Sequence, residues 1–182
     1  MTRKEATSRR KTKSILLAVL LGGILVTSAV AYVSSSTNSA SANFGGLGST
    51  HEHAVFLVVI DGNPIDFRQD KYQVKSPFIH VENGVGTTLH KHALQVPIGE
   101  FFKSLGMQVE EGCFVSDDGS SYCTGEGKRL RFFVGETEIQ TPSAINGYVL
   151  SDGDSFLLYY GEDNEDAIQA ALESVNRLTV ST

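Results

Sequence analysis

All five histidines of the 182-residue chain fall between positions 51 and 92. They are His51, His53, His80, His90 and His92, and four of them form two His-x-His pairs. Imidazole suits both Zn²⁺ and Cu²⁺, but bonds near ~2 Å require several rings to converge. In a strand, residues i and i+2 share a face, so His90 and His92 share one, as do His51 and His53. Between them lies Glu82-Asn83-Gly84-Val85-Gly86-Thr87, a hairpin signal. A turn centred on Val85 sets His80 directly opposite His90, with Cβ atoms about 5 Å apart. His80, His90 and His92 are therefore the expected core ligands of a copper or zinc ion. His51 and His53 complete or extend the site. Glu52 and Glu82 are expected to point away from their flanking histidines and are left out of the ligand set. The competing reading of the same residues is a structural or pH-responsive histidine cluster.

Composition narrows the function classes. The chain carries a net charge of −6, with 41% hydrophobic residues and no Trp. Six of its fifteen Lys/Arg, and only one of its twenty-one Asp/Glu, lie in the first thirteen residues. The remainder holds nine basic and twenty acidic residues, a net of −11. An acidic body of this kind argues against a nucleic-acid partner, which needs a basic face. It is compatible with attraction of cations.

Four segments are expected along the chain. Residues 1–14 form a basic cytoplasmic tail. Residues 15–33, ILLAVLLGGILVTSAVAYV, are uncharged and about long enough to cross a bilayer as a helix. Basic residues flank that stretch on one side only, which puts the N-terminus in the cytoplasm and the body outside. A cleaved signal peptide is the rival, with Ala29-Val30-Ala31 as a small-residue cleavage site; residues 1–31 would then be lost and the body secreted. Residues 34–50 are a Ser/Gly/Asn-rich tether. Residues 51–180 form the exported globular domain.

Within that domain, AVFLVVI at 54–60 is a β-prone run followed by an Asp61-Gly62-Asn63 turn. A returning strand is expected from Pro64 to Phe67, and hairpin strands near 78–82 and 88–96. Ile98, Phe101, Phe102 and Leu105 fall on one helical stripe, which Gly106 ends. Further strands are expected at 130–134, 136–140 and 155–160, and a closing helix at 165–177 with Ile168, Ala171, Leu172 and Val175 on its apolar face. Cys113 and Cys123 are the only cysteines, separated by an Asp117-Asp118-Gly119 turn. In an exported domain they are expected to close a hairpin as a disulfide. A redox-active pair, or thiolate ligands beside the histidines, are the alternatives.

The segments HEHAVFLVVIDGNPIDF, KYQ, FIHVENG, LHKHA, IGEFFKSLG and DGDSFLLYYGEDNEDAIQAALES, with the cysteine pair, resemble a little-characterised family. Its members are membrane-anchored exported proteins of archaea, ammonia oxidisers among them. The resemblance covers roughly residues 51–175. Some members are labelled disulfide-isomerase-like; this chain carries no Cys-x-x-Cys. The C-terminal half also resembles β-grasp-type domains. The fold expected is α+β: a mostly antiparallel sheet, one short packed helix and a C-terminal helix. The function expected is metal binding outside the membrane. The alternatives are a metalloenzyme, a thiol–disulfide oxidoreductase built on Cys113 and Cys123, and a non-catalytic envelope module.

Overall fold

The computed structural model of the chain describes residues 44–110 and 112–181. The expected tail and the transmembrane or signal segment lie outside the described residues. Among the described residues, no helix is long and apolar enough to cross a membrane.

The chain is α+β, built on a seven-stranded mixed sheet. β1 (Glu52–Ile60) lies at its centre, with β2 (Asn63–Pro64) as a short return on it. β3 (Ile79–His80) and β4 (Thr88–Lys91) lie to one side of β1. To the other side come β10 (Ser155–Glu162), β8 (Lys128–Val134) and β9 (Thr137–Glu138). β1 and β10 pair in parallel, while every other ladder of the sheet is antiparallel. A second sheet contains β5 (Gln108–Glu110), β6 (Cys113–Val115) and β7 (Ser121–Cys123).

The run AVFLVVI is apolar throughout because β1 is covered on both faces, as expected of a central strand. Ala54, Phe56 and Val58 join one core, with Ile98, Phe101, Phe102 and Leu105 of the helical stripe. That stripe is α1 (Ile98–Ser104) and its C-cap. Val55 and Val59 join a second core against Ile168, Ala171, Leu172 and Val175 of α3 (Glu165–Asn176). Asn164 caps α3, its side-chain oxygen accepting from the Asp166 and Ala167 amides. Fixing the first-turn donors this way is worth about 1 kcal/mol. A one-turn helix, α2 (Pro142–Ile145), is an element the periodicity did not signal.

Three expectations are corrected. The strand after Asp61-Gly62-Asn63 stops at Pro64, because the chain then turns inward to bury Phe67 and Tyr72. The packed chain begins at Phe44 rather than at His51. Phe44 stacks edge-on to Phe78, and the Gly45 and Gly48 amides donate to the Leu94 and His92 carbonyls. The hairpin register is the expected one, with His80 opposite His90. Its tight turn, however, is Asn83-Gly84, both at positive φ, with the Val85 amide donating to the Glu82 carbonyl. Residues 85–87 are looped out, and Gly86 lets that loop lie on the backbone of Phe67 and Arg68. A Cβ there would come within 2.7 Å of the Arg68 nitrogen.

Cys113 and Cys123 face each other across β6 and β7 and are joined as a disulfide. The turn between them is held by Asp118, which accepts from Ser116 Oγ and the Ser120 amide. Bonded to each other, the two sulfurs are not thiolate ligands. For so short a loop, reduction is expected to cost about 2–3 kcal/mol. Urea denaturation with and without reductant reads this directly; an unchanged midpoint would contradict it.

Candidate metal centre

The two His-x-His segments run antiparallel on neighbouring strands. The β1–β4 ladder sets His53 opposite His90 and Glu52 opposite Lys91. The β3–β4 ladder sets His80 opposite His90. His80, His90 and His53 thus form one row across three strands. His51 and His92 meet in the next row, with ring centroids 4.8 Å apart.

The Asp-Gly-Asp loop before β10 holds the His53 backbone. The His53 amide donates to Asp152 Oδ1 at 2.8 Å, and its carbonyl accepts from the Gly153 amide at 2.7 Å. With both groups turned to that loop, His53 and His90 form a non-hydrogen-bonded pair. Facing side chains come closest in such pairs, and these two rings are 4.7 Å apart.

On the reverse face the middle residues of the two motifs form an ion pair. Lys91 Nζ lies 2.6 Å from Glu52 Oε2 and also donates to the Leu150 carbonyl. Glu52 therefore does point away from the histidines. Hydrogen bonds from Lys91 and then Thr50 hold its carboxyl below the usual range. A one-residue slip of β4 would break this pair and turn His90 and His92 away from the other three rings.

The five rings form a closed circuit. Successive centroids lie 4.8 Å (His51–His53), 4.7 Å (His53–His90), 6.1 Å (His90–His80), 5.0 Å (His80–His92) and 4.8 Å (His92–His51) apart. His80 and His90 are 6% and 3% exposed, while His51 faces solvent. The circuit is thus buried at one side and open at the other. Beyond α3, the chain crosses the same face beside the cluster, the Ser181 amide donating to Thr88 Oγ1.

His51, His53 and His90 could hold a metal ion. One ligand nitrogen from each lies within 4.8 Å of the others. His51 and His53 Nε2 are already 3.1 Å apart. Nitrogens on one tetrahedral ion at ~2.0 Å bonds stand about 3.3 Å apart. Only His90 therefore has to close in, by a side-chain adjustment.

Glu82 is the site residue that sequence reasoning left out. Its carboxylate lies 3.2 Å from His80 Nε2 and 3.6 Å from His90 Nδ1. This corrects the expectation that it points away. Glu82 stands two residues after His80, so the strand period puts it on the same face, and the Asn83-Gly84 turn folds it toward His90. Burial works to raise its carboxyl, but the neighbouring imidazoles of His80, His90 and His92 outweigh that and lower it.

His90 and His92 are pushed below the ordinary imidazole value, chiefly by burial, with the other rings adding to the effect. They are therefore neutral near neutral pH, the form that binds metal. A histidine lowered in the folded state contributes stability above its unfolded value, about 6.5, that is lost as pH falls through the folded value. The metal-free protein is expected to weaken below about pH 6.5. Urea midpoints in that range and above it measure this; equal midpoints would contradict it.

Comparison with protein-family models, curated proteins and solved structures returns no match for this chain.

Proposed function

We propose that this chain is a membrane-anchored extracytoplasmic protein that handles copper or zinc through its histidine cluster. The observation that carries the reading is the convergence of His51, His53 and His90, with His51 and His53 already at ligand spacing. Neutral imidazoles suit Cu²⁺ and Zn²⁺, whereas Mg²⁺ and Ca²⁺ take oxygen ligands. The exposed side at His51 gives an ion a path in and out, which suits delivery better than a locked structural site. The core ligand set is revised from His80, His90 and His92 to His51, His53 and His90, with His80 and His92 beside it.

Export is supported by the uncharged stretch at 15–33 behind a basic tail and by the Cys113–Cys123 disulfide, a bond of oxidising compartments. The family resemblance agrees with both. The parallel pairing of β1 with β10 supports the β-grasp likeness. A metalloenzyme is the second reading, favoured by a three-nitrogen set that leaves a tetrahedral position free for water or substrate.

The test is elemental analysis of the full-length chain, purified in detergent without an added His tag. Near-stoichiometric copper or zinc, removed by chelator with a fall in melting temperature, is expected. Trace metal, and no thermal shift on adding either ion, would overturn the reading and favour the envelope-module alternative.

A further inference from the structure

His51, His53 and His90 leave His80, His92 and Glu82 unused, and His80 and Glu82 face each other directly. His80 Nδ1 lies 2.7 Å from the Ser76 carbonyl oxygen, which only accepts, so Nδ1 carries the proton. In a neutral ring Nε2 is then a bare lone pair. It faces Glu82 Oε2 at 3.2 Å, a second acceptor. Two acceptors at that separation need a cation between them, a proton or a metal ion. His90 Nδ1 stands beside them, buried, without a hydrogen-bond partner among the described residues, and 3.6 Å from the other Glu82 oxygen.

We propose that the cluster holds two divalent cations rather than one, the second bound by His80 Nε2, the Glu82 carboxylate and His92. This rests on the reading of His51, His53 and His90 as the first ion's ligands. His92 is the other imidazole beside His80, at 5.0 Å between ring centroids. When His90 Nε2 binds the first ion, its proton sits on Nδ1 and is donated to Glu82. That interaction fills the unpartnered position and holds the carboxylate on the second ion. A carboxylate that orients a metal-bound histidine is a common partner of such ligands; here the same carboxylate also binds the neighbouring ion. One donor set of two imidazoles and a carboxylate suits Zn²⁺ or Cu²⁺.

The experiment is equilibrium dialysis of the full-length chain in detergent against Zn²⁺, and separately Cu²⁺, followed by metal analysis. Wild type is expected to take two ions per chain, and Glu82→Gln one. His92→Ala, at a half-buried position that tolerates the change, is also expected to take one. With Cu²⁺, the electron paramagnetic resonance signal is expected to grow with the first equivalent and to broaden or fall with the second. One ion in wild type would overturn the two-ion proposal and leave the first site standing. No bound ion would overturn both. Two ions in both variants would refute the assignment of Glu82 and His92.

Discussion

His51→Ala is expected to weaken Cu²⁺ and Zn²⁺ binding about a hundredfold, about 2.8 kcal/mol, with the fold unchanged. His51 is exposed, so alanine leaves no buried cavity. What it removes is one of the two nitrogens already standing at ligand spacing. His53→Ala should cost about as much. His90→Ala should too, with an added loss of stability from its buried position. This ranking differs from one built on His80, His90 and His92, in which His51 and His53 would matter little. Calorimetric titration of each variant decides between them. An affinity in His51→Ala equal to wild type would remove His51 from the site.

Lys91→Met is expected to destabilise the protein by about 3 kcal/mol. The lysine is 5% exposed and its ammonium satisfies both Glu52 and the Leu150 carbonyl. Removing it leaves a carboxylate and a carbonyl without their shared donor. Breaking a buried pair costs roughly 3–5 kcal/mol, and the partial exposure of Glu52 puts this one at the low end. Metal affinity should fall as well, because the pair pins the register that faces the two His-x-His segments together. Adding Glu52→Leu should restore most of the stability, since a well-packed apolar pair replaces the ionic one. Urea denaturation of wild type, single and double variants measures this. A single variant as stable as wild type would show that other contacts set the register.

The strand period carried most of the site. One residue separates the members of each His-x-His pair, and the Val85-centred register foretold the His80–His90 pairing. Both apolar helical stripes and the cysteine pairing were legible for the same reason: short-range spacing determines which side chains share a face. Long-range pairing was not legible. Nothing local in His51-Glu52-His53 says that β1 lies beside β4 rather than beside another strand. The opposite charges of Glu52 and Lys91, at the centres of the two motifs, were the available signal. Glu82 was missed although it obeys the period of two from His80. The loop at residues 85–87 and the inward turn after Pro64 depend on Phe67, whose burial is a tertiary fact. Likewise, Asp152 reaches His53 across 99 residues of sequence.

The most direct test of the central claim is X-ray absorption at the copper or zinc edge of the loaded, tag-free full-length chain. A first shell dominated by imidazole nitrogens at about 2.0 Å is expected, with the multiple-scattering pattern of the ring, and loss of part of that pattern in His51→Ala. A first shell of oxygen alone, or a spectrum unchanged by removing His51 and His53 together, would contradict it.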